Sequence, residues 1–183
     1  MNTHDVTPEA VIRAWMAAGP PKWFAKDAAF DDALRAAFGA ANEAARAGQL
    51  EDWRASREGR LGLVILLDQI SRNIHRGSAL AFAGDALALM VAREAIAAGD
   101  LDHWPKEQAQ WLILPFEHHE GLAEQDEAIA LFERYGDADL VKWAQVHRDI
   151  IVMFGRFPHR NAVLGRVTTP EEQDFLAEGG FSG

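Results

Sequence analysis

Apolar residues recur along this chain at spacings of three and four, the period of a helix, and show no strand-type alternation. "TPEAVIRAWMAAG" opens with Thr7 as a helix N-cap and Pro8 at the first helical position, and stops at Gly19. "KDAAFDDALRAAFGAANEAARAG" places Phe30, Leu34, Ala37 and Phe38 on one stripe and stops at Gly48. Further helices are predicted from Arg57 to Gly77, from Asp85 to Gly99, onward from Lys106, over 122–135, and through "DADLVKWAQVHRDIIVMFGRF". In "TTPEEQDFLAEGG", Thr169 is the N-cap, Pro170 is N1 and Glu172 sits at N3, which completes a capping box. Alanine, leucine, glutamate and arginine dominate, and no Asn-Gly hairpin signal occurs. The pattern predicts an all-α fold, one domain over residues 1–183, with about eight helices joined by short glycine-terminated links. No fixed 34-residue period emerges.

The helix from Arg57 changes character midway. Leu63, Leu67, Ile70 and Ile74 form its core stripe. Leu61, Ile65, Asp68 and Arg72 form an adjacent face, apolar for one turn and then charged. Asp68 ends the apolar run "LGLVILL" and is expected to be mostly buried, where a carboxylate needs a partner or a raised pKa. Arg72 stands at the favourable i+4 spacing. Gln69, Asn73 and Arg76 line a third face. Taken alone, this stretch is better explained by an ordinary ion pair at a docked helix end.

In "PFEHHE", residues 115–120, Pro115 removes a backbone donor, so the helix is expected to kink or end there. His118 and His119 are neighbours, about 100° apart on a helix, so one of them should be solvated. Neither helical metal spacing (His at i and i+4, or Glu-x-x-His) occurs, so no metal or other cofactor is expected. A histidine beside a carboxylate suits proton transfer instead.

Trp143, His147, Ile150 and Phe154 share one stripe, which points His147 inward. Gln125 lies likewise on the stripe of Leu122, Ile129 and Phe132. The helix carrying His147 then delivers the chain into "GRFPHRNAVLGR", residues 155–166. Pro158 is expected to end that helix, and Gly155 and Gly165 allow tight turns.

Composition narrows the function classes. The chain has 183 residues, enough for a substantial core, with 49% apolar and 25% charged residues. It has no cysteine, which excludes disulfides, thiolate nucleophiles and thiolate-zinc sites. "LGLVILL" is far shorter than the roughly 20 residues of a membrane span. The first residues show no basic segment followed by an apolar one, so no signal peptide is read and a cytoplasmic location is expected. The formal net charge is −10, which argues against a nucleic-acid partner.

Against that acidic background, residues 155–166 hold three arginines and a histidine and no acid. Segments 67–77, 115–120 and 155–166 carry +1, −2 and +3, which leaves −12 for the rest of the chain. The cations must neutralise Asp68, Glu117 and Glu120, or meet an external anion, or both. Arginine suits bidentate binding of carboxylate or phosphate.

"LDQISRNIHRG", "PFEHHE", "GRFPHRNAVLGR" and the closing "TPEEQDFL" resemble the bacterial domain-of-unknown-function family 924, over about Trp23 to Phe175. The chain departs from the family's usual forms at Ile70 and Ser71, where Phe-Pro is common, and at His119, where serine is common. The resemblance implies a helical fold similar to tetratricopeptide-like helix pairs, and no established activity. It also groups the motif residues Asp68, Arg72, Asn73, Arg76, His118, Glu120, Gln125, Arg156, His159, Arg160 and Asn161 into one suspected site. The inward stripe adds His147 to the residues around a ligand, and side-chain chemistry makes His118 and His159 the proton-transfer candidates. Three readings remain open. The site holds a small anionic ligand and is catalytic or not. The helices hold an acidic peptide or protein partner in a groove. The motifs form a structural polar network with no ligand. Reaction type and oligomeric state are open in all three.

Overall fold

A computed structural model describes residues 6–181. Every regular element in that span is helical. Helix α1 (Pro8–Ala18) starts on Thr7, whose hydroxyl accepts from the Ala10 amide, and buries Val11, Ile12 and Trp15. A short α2 (Pro20–Trp23) brings Trp23 back, so that its indole N–H donates to the Trp15 carbonyl at 2.8 Å. Helix α3 (Ala28–Arg46) is capped by Asp27 and buries Leu34, Phe38, Ala41 and Ala45. Helix α4 (Arg57–Val64) is capped by Ser56 and forms the centre of the first half, with α1, α6 (Asp85–Ala97) and α7 (Lys106–Glu117) packed on it. Trp111 of α7 meets Trp15 and Trp23 edge to face, with centroids 5.4 and 4.8 Å away. Helices α7, α8 (Leu122–Tyr135) and α9 (Ala138–Phe154) then pack in chain order.

The helix predicted over 57–77 differs from an ordinary one. After α4 the chain widens into a π turn (Ile65–Ile70) before finishing as α5 (Ser71–Ile74). The cause is Asn42 of α3. Its amide donates to the Leu66 carbonyl and to the Ser71 hydroxyl, both at 2.7 Å, and Ser71 Oγ donates to the same carbonyl at 3.2 Å. Side chains inserted into the backbone ladder open it by one residue. Every residue from Leu61 to Ser71 is buried, so this helix is enclosed on all sides.

Three local expectations need correction. Helix α7 runs through Pro115 and ends two residues later, at Glu117. It is Gly155, in the left-handed conformation with φ +67°, that ends α9; its amide donates to the Ile151 carbonyl, and Pro158 only opens the next short turn. Trp143, placed on the inward stripe of α9, is 51% exposed, although His147 is buried as expected.

A second, smaller core joins Ile150, Ile151 and Phe157 to Phe154, Phe175 and Phe181. It holds the 155–166 segment and α10 (Pro170–Ala177), whose capping box forms as the sequence indicates. Among the described residues, no helix is long and apolar enough to cross a membrane.

Candidate functional site

Asp68 sits in the π turn with no exposed surface. One carboxylate oxygen, Oδ1, accepts from His118 Nδ1 at 2.8 Å and lies 2.8 Å from Arg72 Nη1. The other accepts from Gln69 Nε2 at 2.5 Å. Burial works to raise the pKa of Asp68, but Arg72 and the His118 contact outweigh it and hold the carboxyl well below the usual range. The guanidinium of Arg72 continues to Asp85 through two parallel bonds of 3.0 Å. Asp85 opens α6 directly after Gly84. A Cβ on Gly84 would stand 2.6 Å from the Leu67 carbonyl oxygen, so only glycine lets α6 begin this close to the π turn.

Arg160 comes from the short turn Pro158–Arg160. It is 6% exposed, with its guanidinium between the rings of Phe82 and Phe157, 4.7 and 4.5 Å from their centroids. Asp85 Oδ2 lies 3.6 Å from Arg160 Nη1, too far for a hydrogen bond. Nε is buried without a partner among the described residues. Burial and the neighbouring Arg72 lower the pKa of Arg160 to about 10, which leaves it cationic at neutral pH.

His118 caps the C-terminus of α7 and is 15% exposed. Burial, then Arg72, push its pKa down against the opposing pull of Asp68, so the ring is neutral near pH 7. Its single ring proton then sits on Nδ1, donated to Asp68. The other nitrogen, Nε2, makes no hydrogen bond among the described residues and is not sealed from solvent.

Beside it, Glu117 is 4% exposed and its Oε1 lies 3.0 Å from His147 Nδ1. Burial, then the charge of Asp68, raise its pKa to about 8, so it is a neutral acid at pH 7. His147 donates from Nδ1 to the Trp143 carbonyl at 2.9 Å, and burial pushes its pKa down to about 3. His159 is held near 4 by burial and by Arg160, and its Nδ1 is buried without a partner among the described residues. The rings of His118 and His147 are 6.3 Å apart, and Phe157 stands 5.6 Å from both His147 and His159.

Segments 67–77, 115–120 and 155–166 therefore meet, as the sequence reading required. The candidate site residues divide in two. Asp68, Arg72, His118, His147, His159 and Arg160 gather at the centre. The others hold partners inside the protein. Asn73 and Arg76 both bind Asp31 of α3, at 2.7 and 2.9 Å. Gln125 donates to the carbonyls of Glu117 and His119, both at 2.6 Å, and so finishes the end of α7. Glu120 takes Arg166 at 2.7 Å and the Phe157 amide at 2.8 Å. Arg156 and Asn161 both bind Glu172 of α10, at 2.6 and 3.0 Å. His119 faces outward beside Glu124, so it is the solvated histidine of the pair.

The charge balance also needs correction. Arg72 and Arg160 are matched by Asp68 and Asp85, Arg166 by Glu120, and Arg156 by Glu172. What the centre has in excess is unmade hydrogen bonds on Arg160 and His118, not positive charge. The sequence reading missed Asp31, Asp85 and Glu172 as partners and Phe82 as the platform under Arg160. Chemically, the centre combines a neutral imidazole oriented by a buried carboxylate, a buried neutral acid, and an arginine free to grip an anion. Two surface depressions of about 430 Å³ each, one along α6 at Leu89 and Met90 and one beside Arg156, are lined by none of these central residues.

The profile of a family described as bacterial proteins of unknown function, DUF924, matches residues 11–180, somewhat beyond the stretch over which the motifs were recognised. No curated protein matches the chain. A solved structure of a protein of unknown function, ATU0120 from Agrobacterium tumefaciens, is 42% identical, with a TM-score of 0.90 over 97% of this chain and 100% of that one. With four spaced motifs, a match over nearly the whole length and the same fold at that identity, the chain belongs to the DUF924 family of bacterial proteins.

Proposed function

We propose that this centre binds a small ligand through a carboxylate or phosphate group, with Arg160 as the anion clamp and His118 as the proton acceptor. One observation carries the reading. Arg160 is buried, charged, fixed between two aromatic rings, and makes no hydrogen bond through its guanidinium among the described residues. Buried polar groups normally have partners, and an arginine held this way is arranged to receive one. The Asp68–His118 pair supports a catalytic use, because the carboxylate fixes the tautomer that leaves Nε2 able to take a proton. Glu117, kept neutral by burial, is the matching donor. A cytoplasmic location fits the absence of cysteine.

The test is a calorimetric and thermal-shift titration of the protein with inorganic phosphate and with acetate, beside Arg160→Ala and the surface control Arg93→Ala. The reading expects a rise in melting temperature in the parent and in the control that Arg160→Ala abolishes. Equal shifts in all three proteins, or none in any, would leave the motifs as a structural polar network.

A further inference from the structure

The segment after α10 is turned by two glycines toward the histidines. Gly179 adopts φ +85°, and the Gly180 amide donates to the Phe175 carbonyl at 2.9 Å. A Cβ on Gly180 would stand 2.5 Å from that carbonyl oxygen, so the turn requires glycine there. It lays the Phe181 ring edge to face against His147, 4.5 Å away, and against His159, 5.4 Å away. Helix α10 is pinned behind it, by Glu172 on Arg156 and Asn161 and by Phe175 against Phe154 at 5.1 Å. The basic motif thus aims Phe181.

Phe181 itself is only half-buried. Its ring packs on His147 and His159, and both of those rings also meet Phe157. Phe157 is in turn one of the two rings that hold Arg160. Moving the Phe181 ring aside would leave room for another ring on the two histidines, one aromatic side chain away from an arginine with unmade hydrogen bonds. A simple inorganic anion would use the arginine and leave that place idle.

Resting on the reading of Arg160 as an anion clamp, we propose that the ligand is an aromatic acid, a planar apolar ring beside a carboxylate or phosphate, and that Phe181 occupies the place of that ring until the ligand displaces it. The side chain acts as a resident competitor. Its removal should strengthen binding of an aromatic acid and leave binding of a ringless one unchanged.

Benzoate and acetate, then phenyl phosphate and inorganic phosphate, are titrated calorimetrically into the parent, Phe181→Ala and Phe181→Leu, with circular dichroism checking the fold of each. Phe181→Ala should bind benzoate and phenyl phosphate about tenfold more tightly than the parent, with acetate and phosphate unaltered. Phe181→Leu, which keeps an apolar cover, should fall between, and it carries the test if the alanine variant does not fold. Gains of the same size for ringless and aromatic anions, or no gain for either, would overturn the aromatic assignment while leaving the Arg160 clamp in place. Absence of binding by every anion to every variant would overturn both.

Discussion

His118 Nδ1 lies 2.8 Å from Asp68 Oδ1, although fifty residues separate them in sequence. The contact joins the π turn to the end of α7, and Arg72 touches the same oxygen from the helix of Asp68 itself. A carboxylate with no solvent, held by a cation and an imidazole, should show its weight when it is removed.

Asp68→Ala is expected to destabilise the protein by about 3 kcal/mol, because it leaves Arg72 short of a buried partner and His118 without its acceptor. Urea unfolding measures the loss. Arg72 keeps Asp85, which limits the damage. A loss under about 0.5 kcal/mol would match a solvated, weakly coupled carboxylate and contradict the burial.

Glu117 gives a pH signature of definite sign. Its pKa is raised by folding to about 8, so between its unfolded value and 8 the folded state holds a proton that the unfolded state has released. Its stabilising contribution is complete below its unfolded pKa and declines as pH rises, by up to about 1.4 kcal/mol per unit, until it levels off near 8. His147 and His159 act oppositely. Their folded pKa values, about 3 and about 4, are depressed, so they weaken the fold as pH falls below their ordinary range near 6.5. Between pH 6.5 and 8 the Glu117 effect stands alone among these three. Glu117→Gln should remove the decline across that interval, as measured by urea unfolding at a series of pH values.

Anion binding should draw in a proton. The charges at the centre already balance, so an added anion raises the proton affinity of His118, His147 and His159. Phosphate or carboxylate affinity is expected to improve as pH is lowered from 8 to 6, with proton uptake visible as a buffer-dependent heat in calorimetry. A pH-independent affinity for a carboxylate, whose own charge is constant over that range, would show that the histidines do not respond to the ligand.

Arg156 ties α10 to the 155–166 segment through Glu172. Arg156→Ala should leave Glu172 held only by Asn161 and its own helix cap, and expose the backbone amides of 171–177 to faster hydrogen exchange, while leaving protection in α4 and α7 unchanged. An even loss of protection across the molecule would mean that α10 unfolds only with the whole.

The helices were legible because their caps and apolar stripes are local. Thr7 and Thr169 make the side-chain caps read for them, and Asp27 and Ser56 cap α3 and α4 in the same local way. The π turn was not, because Leu61 to Ser71 is buried all round and no polar face marks the helical phase there. The convergence of the three motifs was legible through its energetics: charges stranded in apolar helices gather. Their partners were not. Asp85 and Glu172 stand in the first turns of helices, where an acid is ordinarily explained by the helix dipole, and Asp31 looks like one more surface acid of α3. Pairings across 13 residues (Arg72–Asp85), 16 (Arg156–Glu172) or 45 (Arg76–Asp31) leave no trace in local spacing.

The single extra residue in the π turn works as a phase adjuster. With its first half the helix presents Leu61 and Val64 to the core; with its second half it turns Asn73 and Arg76 onto Asp31. Closing the turn to an ordinary α-helix at unchanged length would rotate one half against the other by about 100°. Such a chain would still read as helix at every position, yet it could keep only one of the two sets of contacts. The open turn that Asn42 and Ser71 hold is therefore what sets the phase between the two halves.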